Sequence, residues 1–374
     1  MKKLIYSIRF LIVLTASLLL STGTSHAMTL KRSGQASSWL LYEDKNSDKT
    51  HIGLRYIPEL QLTQSLANER KIAAVFAVNA YSSAPTDSLD DMDTNEELKA
   101  YRAWLRVTSP QLELRAGLQK INFGPAKVLR SLKWFDHINP QDPLSLTDGV
   151  TALLARYYFL DNSNIWLWVV DGDNDKKGLE LYETDDNKEE IGGRFQLALP
   201  KGEAAISYLR RYIDEADYNA QNPVACTNGA QNRYAVDLDF DLGIGAWLEA
   251  SAEQLRVTGS RDEWRDMFTL GLDYTLESGI YLMYEHYLSA EGTDIDRTHE
   301  TGELSTLMAN YHMTFTESIK IITYYNWTNE KGSYYLDYQR LYDDWQVNVS
   351  LFKSGDTGPS PRGTGVQCML TYNH

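Results

Sequence analysis

The chain has 374 residues, with 36 Lys and Arg against 51 Asp and Glu, which gives a formal net charge of −15 at pH 7. An acidic protein repels phosphate backbones, which argues against nucleic acid as a partner. Mean hydropathy is low, at −0.41, yet the chain contains 24 Tyr and 9 Trp. This combination is unusual for a soluble enzyme and is typical of a membrane barrel, in which half of each strand faces water.

The first 27 residues predict a secretory signal peptide. Lys2 and Lys3 precede an apolar run from Leu4 to Leu20, and Ser25-His26-Ala27 supplies a cleavage site of small residues. Cleavage near Ala27 removes three basic residues and no acidic ones, so the net charge becomes three units more negative. A membrane anchor is the alternative. Beyond residue 27, no apolar run approaches the roughly 18 residues that a spanning helix needs.

Alternation of apolar and polar residues recurs from residue 34 to the C-terminus and predicts eighteen strands. The predicted ranges are 34–43, 51–63, 70–82, 97–109, 111–122, 150–160, 163–172, 190–199, 203–213, 231–241, 243–257, 263–276, 278–290, 302–315, 317–329, 333–342, 344–353 and 364–374. Most of these ranges are close to the roughly 9–11 residues that cross a bilayer when tilted. The first range and 333–342 are the weakest, so a count of sixteen strands stays open.

The connections alternate in length. Tight turns, such as 108–110 and 277–279, alternate with longer polar segments, such as 82–96 and 173–189. Short turns at one rim and long loops at the other are typical of bacterial outer-membrane barrels. We therefore predict an all-β fold, a transmembrane antiparallel β-barrel of about 18 strands, in one domain over residues 28–374. A soluble sandwich or propeller is the alternative, because alternation alone does not distinguish the two.

The connection from Phe123 to Gly149 is long and carries both charged and aromatic residues. A loop of this length in a compact structure is usually functional or disordered. We expect an ordered loop, because its aromatic residues can pack. This third long loop is predicted to fold into the lumen. The residues expected to form the constriction are Lys127, Arg130, Lys133, Trp134, Asp136, His137 and Asp142.

The interior of such a barrel is aqueous, so the polar positions of each strand are expected to point inward. The expected pore-lining residues are Arg55, Arg102, Arg106, Arg115, Gln119, Arg156, Arg194, Asp237, Asp239 and Asp273. Arginines predominate in the first half of the chain, and carboxylates, including Glu249 and Glu285, in the second half. Such an arrangement would create a transverse field that selects solutes by charge. Pairing that merely supports the wall is the alternative.

The sequence predicts no catalytic site, cofactor or metal site. Asp136 and His137 are neighbours, but no recognisable Ser or Cys nucleophile accompanies them, and such a pair is usually structural. Metal-ligand spacing, haem attachment and phosphate-binding motifs are absent from the sequence. The segment Asp171–Asp175 supports at most a weak surface ion site. Cys226 and Cys368 are far apart and do not predict a disulfide framework.

One strand and the long loop after it contain a series of spaced motifs: Arg115-Ala-Gly117-Leu-Gln119, Gly124, Arg130, Trp134 and Asp148-Gly149-Val150. This series resembles the alginate-export family of outer-membrane porins. Asn139–Pro143 is similar to related uncharacterised outer-membrane barrels. Leu118 stands where the family has a central arginine. The resemblance covers about 40 residues and implies an 18-stranded channel with an arginine-rich lumen.

Together these features predict a channel and not an enzyme. We expect passive diffusion of small hydrophilic solutes, with a preference for anions, across the outer membrane of a Gram-negative bacterium. The expected partners are outer-membrane lipid, the solutes and the barrel-assembly machinery, and a homo-oligomer stays open. The alternatives are a channel for export or uptake of an anionic saccharide, a structural barrel without transport, and a barrel enzyme.

Overall fold

A computed structural model describes residues 28–44, 49–85, 95–136, 146–173, 175–222, 229–258, 262–293, 299–355 and 363–374. The strands are β1 (Met28–Glu43), β2 (Lys49–Ser65), β3 (Lys71–Pro85), β4 (Asn95–Thr108), β5 (Leu112–Gln119), β6 (Val150–Tyr158), β7 (Asn164–Val170), β8 (Glu190–Leu199), β9 (Gly202–Tyr212), β10 (Ala230–Asp241), β11 (Gly245–Arg256), β12 (Glu263–Thr275), β13 (Ile280–Gly292), β14 (His299–His312), β15 (Glu317–Asn326), β16 (Lys331–Tyr342), β17 (Trp345–Ser354) and β18 (Gly363–Asn373). A short helix, α1 (Glu215–Gln221), lies between β9 and β10.

The eighteen strands form one closed antiparallel barrel. Each strand pairs with its neighbours in sequence, and β1 closes the ring by pairing with β18. Closure gives every strand a partner strand on both sides, so the sheet has no edge strand. The predicted fold and the count of eighteen are confirmed, and the count of sixteen is wrong. β1 begins earlier than its predicted start at residue 34, because Met28–Ser33 pairs with Glu59–Gln64 of β2.

The strands place apolar side chains on the outside of the barrel. On β5, Leu112 and Leu114 are 39% and 41% exposed, whereas Glu113 and Gln119 are buried on the inner side. An exposed apolar surface that surrounds a barrel is favourable in a bilayer and unfavourable in water. A soluble sandwich or propeller would bury these apolar faces, so the structure does not fit that alternative.

The two rims of the barrel differ in the length of their connections. The rim with short turns joins β2 to β3, β4 to β5 and so on to β16 and β17, and we call it the short-turn rim. The opposite rim carries the long connections, and we call it the long-loop rim. Cys368 is free and exposed on β18, whereas Cys226 lies outside the described residues.

Among the described residues, no helix is both long enough and apolar enough to span a membrane.

The orientation of the strands can be tested by arginine substitution. Leu153→Arg and Leu270→Arg place a charge at outward positions inside β6 and β12, where the leucine side chains are 54% and 43% exposed. Each should destabilise the barrel by about 2–4 kcal/mol near the bilayer midplane. Asp239→Arg is the matched inward substitution and should cost much less. Folding equilibria in lipid vesicles would measure the losses, and an equal loss for all three variants would contradict the orientation. Gln119 is unsuitable as a control, because it is buried and its side-chain amide donates to the Ala152 carbonyl at 2.8 Å.

Candidate functional site: a lumen crossed by a loop

Between β5 and β6, the described residues 120–136 and 146–149 fold into the barrel, and we call this connection the inward loop. It turns at Gly124, where φ is +91° and a side chain would collide with the Glu249 carboxylate. Glycine tolerates this left-handed conformation, which other residues rarely adopt. The prediction of a loop inside the lumen is confirmed. His137 and Asp142, two of the predicted constriction residues, fall in 137–145, outside the described residues.

Two carboxylates on the opposite wall hold the middle of the inward loop. Glu285 on β13 accepts hydrogen bonds from the backbone N–H groups of Lys127 at 2.6 Å, Val128 at 3.0 Å and Leu129 at 2.6 Å. Glu249 on β11 accepts from the N–H groups of Ala126 and Leu132, both at 3.0 Å. Successive backbone N–H groups that converge on an anion form a favourable anion site. Here the anion is part of the barrel wall.

Apolar packing fixes the part of the loop near β6 and β7. The Phe123 ring stacks on Trp168 at a centroid distance of 5.6 Å and meets Trp134 edge to face at 5.3 Å. Phe135 meets Trp168 at 5.7 Å. Such aromatic pairs contribute about 0.5–1.5 kcal/mol each beyond the burial of their area. Trp134 is only 1% exposed, so it supports the loop from within this cluster.

The middle of the inward loop also packs against strands β15–β17. Val128 and Leu129 contact an apolar cluster on β15–β17 that includes Tyr324, Tyr335 and Phe352. Because the loop contacts walls on both sides of the barrel, it divides the lumen.

Polar contacts hold the ends of the inward loop. Arg102 on β4 donates to the Thr147 carbonyl at 2.9 Å, and Lys99 pairs with Asp148 at 3.0 Å. Arg130 donates to the Phe123 carbonyl at 2.8 Å and also hydrogen-bonds to Asn122. Arg102 and Arg130 therefore help to hold the loop in its present course.

Charged groups of the loop have shifted pKa values. Burial lowers the pKa of Lys133, and the neighbouring Arg130 lowers it further. Burial raises the pKa of Asp136, although Lys120, at 3.3 Å, opposes this shift. Burial also opposes the charge of Lys127, but hydrogen bonds to Asp273 and Tyr281 outweigh it and raise the pKa. Lys127 therefore stays cationic at neutral pH.

A second loop between β7 and β8, described at residues 171–173 and 175–189, also packs inside the barrel. Its Glu180 is fully buried and pairs with Arg211 at 3.0 Å and Arg233 at 3.1 Å. Its Lys177 pairs with Glu190 of the wall at 2.9 Å. The Leu179 N–H donates to the Lys133 carbonyl at 3.2 Å, so the second loop supports the inward loop. The sequence did not predict the ion pairs of Glu180, because no local pattern links its carboxylate to Arg211 on β9 and Arg233 on β10.

Arginines and aromatic rings alternate on the inner face of β1–β7. The Arg55 guanidinium lies 5.4 Å from the ring centroids of both Trp39 and Tyr81. Three further stacked pairs are Arg106 on Trp104, Arg115 on Trp104 and Arg156 on Trp166, at 5.5, 5.0 and 3.7 Å. We call these four arginines and four aromatic residues the arginine–aromatic wall.

The arginine–aromatic wall has an excess of positive charge. Glu113 pairs with Arg115 at 2.7 Å and lies 3.9 Å from Arg156. One carboxylate thus accompanies a cluster of three arginines, of which Arg106 is the third. The side chains of Arg115 and Arg156 are 15% and 16% exposed. They are accessible but not freely solvated, which strengthens their interaction with an anion.

Carboxylates gather on the other side, near the short-turn rim. A cavity of about 410 Å³ is lined by Lys127, Asp239, Asp241, Trp247 and Asp273, among others. The Lys127 ammonium bonds to Asp273 and to the Tyr281 hydroxyl. The inward loop therefore brings one cation into an otherwise acidic region.

Two of the predicted pore-lining residues neutralise each other. Arg194 and Asp237 form two hydrogen bonds, of 2.5 and 2.8 Å, and their side chains are 2% and 3% exposed. Both residues lie beneath the inward loop, where Arg194 also faces the Phe123 ring at 5.3 Å. Charge that is paired and buried in this way contributes little to the field in an open passage.

No group of three or more His, Cys, Asp or Glu side chains that could hold a metal ion occurs among the described residues. The segment Asp171–Asp175 includes residue 174, which is outside the described part. Asp173 pairs with Lys177 at 2.6 Å. An amino group thus contacts the carboxylate that an ion would need.

The comparisons with solved structures match the barrel over nearly its whole length. OccAB4 of Acinetobacter baumannii has a TM-score of 0.59 at 8% identity, over 94% of this chain and 100% of the other. OccD3 of Pseudomonas aeruginosa has a TM-score of 0.55 at 10% identity, with 94% and 92% covered. An anion-selective porin from Comamonas acidovorans has a TM-score of 0.51 at 10% identity, with 93% and 100% covered. At such low identity the likeness establishes the fold alone.

No protein-family model and no curated protein matches the chain. The resemblance of residues 115–150 to the alginate-export porins therefore stays a prediction.

The Glu285 carboxylate can be tested as the anchor of the inward loop. Glu285→Ala removes the acceptor of three backbone N–H groups, and each lost charge-assisted bond is worth about 1.5–3 kcal/mol. The loop should loosen, so single-channel conductance should rise and fluctuate more, while the barrel stays folded. Asp337→Ala is the control, because Asp337 bonds to the wall residues Ser350 and Lys320 at 2.6 and 3.5 Å. Unchanged conductance in folded Glu285→Ala would show that the anchor does not control the passage.

Proposed function

We propose that the chain is an outer-membrane porin through which small hydrophilic solutes diffuse passively. The observation that carries this proposal is a closed 18-strand barrel crossed by a loop whose backbone is bound by Glu249 and Glu285. An exposed apolar outer face suits a bilayer, and a loop inside the lumen restricts passage without closing the wall. The long-loop rim would face the cell exterior and the short-turn rim the periplasm.

The arginine–aromatic wall supports a preference for anions. Arg115 and Arg156 share one carboxylate partner, Glu113, whereas Arg106 lies opposite Arg115 in the strand register. Arginine stays protonated at physiological pH. The net charge of the whole chain is negative, but charges farther away than about 8–10 Å are largely screened at moderate salt. Local charge in the passage therefore sets selectivity. The carboxylates Asp239, Asp241 and Asp273 oppose the preference, and Lys127 offsets part of their charge.

A second candidate is a channel for an anionic saccharide. The specific observation is that all four arginines of the wall lie over aromatic rings. A ring face can pack against the apolar face of a sugar, while a guanidinium binds a carboxylate with two parallel hydrogen bonds. The resemblance to alginate-export porins points in the same direction. Saturable inhibition of ion current by uronate oligomers, stronger than by neutral oligomers of equal length, would favour this candidate.

Charge selectivity tests the role of the arginines. The triple substitution Arg106→Gln, Arg115→Gln and Arg156→Gln should shift the reversal potential toward cations by at least about 10 mV in a ten-fold salt gradient, where perfect selectivity gives about 59 mV. Arg102 is left intact because it holds the inward loop at Thr147.

Arg210→Gln is the control for this experiment, because it makes the same kind of substitution on the outer face of β9, away from the lumen. It should leave the reversal potential unchanged. If the triple variant conducts and keeps the selectivity of the unaltered protein, these arginines do not line the solute pathway.

A further inference from the structure

The outer surface of the barrel has an apolar groove of about 1150 Å³ that runs across β7–β12. Small residues at outward positions, Gly193 on β8 and Ala250 and Ala252 on β11, form its floor. Larger outward residues border it, including Leu167, Phe195, Ile206, Tyr208, Tyr234 and Phe268. A Cβ at Gly193 would lie 3.0 Å from Leu167 Cδ2. Glycine at this position therefore keeps the groove open.

Basic side chains lie beyond the groove, toward the long-loop rim. Arg210 is two positions past Tyr208 on the same face of β9, which is about 7 Å farther along the strand. Its guanidinium lies 5.4 Å from the centroid of the Tyr212 ring, and the Lys188 ammonium lies 4.7 Å from the same centroid. Arg256 is four positions past Ala252 on β11, and its side chain is 58% exposed.

These basic residues lie close enough together to contact one headgroup. Arg210 pairs in register with Asn232 of β10, and Arg256 pairs with Ala230 of the same strand. The two arginines therefore stand two strands apart, about 10 Å in the hydrogen-bonding direction. The Tyr208 hydroxyl donates to Asn232 Oδ1 at 2.9 Å, which adds a polar group between the groove and the rim.

Carboxylates accompany two of the three cations. Asp262 lies 3.3 Å from the Arg256 guanidinium, and Asp185 lies 3.0 Å from the Lys188 ammonium. Arg210 makes no ion pair with any residue of the described ranges. Asp266 is the single acidic residue among those that line the groove. At the rim end of the groove, Asp262 and Asp185 therefore match two of the three cations, and the charge of Arg210 has no carboxylate partner among the described residues.

We propose that the groove and its basic end bind a phosphorylated lipid of the outer leaflet. The acyl chains lie in the groove, and the phosphates contact Arg210 and Arg256. Guanidinium groups bind phosphate with paired hydrogen bonds, and basic residues at a membrane surface attract anionic lipid. The inference rests on the proposed membrane orientation, in which the long-loop rim lies at the outer leaflet. The positive charge at the groove's end favours this lipid over a second copy of the acidic chain.

The test is native mass spectrometry of delipidated protein in a neutral detergent, titrated with diphosphorylated lipid A. Arg210→Gln and Arg256→Gln should each weaken binding about five-fold, and the double variant should weaken it about 25-fold. Ala252→Phe fills the groove and should also weaken binding.

Two control variants match the tested positions. Arg340→Gln removes an arginine that stacks on Tyr342, at 4.9 Å, near the opposite rim. Ala309→Phe enlarges an outward residue of β14, far from the groove. Both should bind the lipid as the unaltered protein does.

Three outcomes would overturn the assignment. The first is that the Arg210→Gln/Arg256→Gln variant binds diphosphorylated lipid A as tightly as the unaltered protein does. The second is that the unaltered protein binds lipid A without phosphates, or phosphatidylglycerol, as tightly as diphosphorylated lipid A. The third is a protein dimer that Ala252→Phe abolishes. The last would assign the groove to a second copy of the chain. Conductance measured in parallel should not change in any of these variants, because the residues face away from the lumen. Failure of the lipid site would therefore be distinct from failure of the proposed channel.

Discussion

The interior of the barrel depends on two wall carboxylates that bind the backbone of the inward loop. Glu249 and Glu285 together accept five backbone hydrogen bonds from residues 126–132. A loop segment in a closed space must satisfy its N–H groups, and a buried carboxylate must be compensated. Here the N–H groups of the loop compensate the two carboxylates, and the carboxylates accept the hydrogen bonds that the N–H groups need. Residues 120–136 therefore keep a fixed course across the lumen without forming a helix or strand of their own.

The division of the lumen follows from this anchoring. On one side, aromatic packing around Phe123 and Trp168 and the buried charges around Glu180 fill the space against β6–β12. On the other side, the arginine–aromatic wall stays partly exposed. A wide barrel would otherwise admit solutes with little discrimination. In the proposed channel, solutes would therefore pass close to the charged side chains of the arginine–aromatic wall.

The sequence predicted the barrel well because strand alternation and turn length are local properties. The pattern around Leu112 and Glu113 places each side chain on the correct face, and the short and long connections alternate as observed. The pairings inside the lumen were not predictable in this way. Arg194 and Asp237 both occupy polar positions of the alternating strand pattern, but only the fold shows that they neutralise each other. Glu285 was expected inside the barrel, whereas its backbone partners, about 160 residues earlier in the chain, depend on the course of the loop.

Liposome swelling with neutral solutes of increasing size tests the central claim most directly, because it measures passage without any effect of charge. Vesicles that contain the purified protein should swell rapidly with small monosaccharides and progressively more slowly with larger oligosaccharides. The graded decline is expected because the anchored loop narrows an otherwise wide barrel. A folded protein that admits none of these solutes, or that admits all of them at equal rates, would contradict a channel narrowed by this loop.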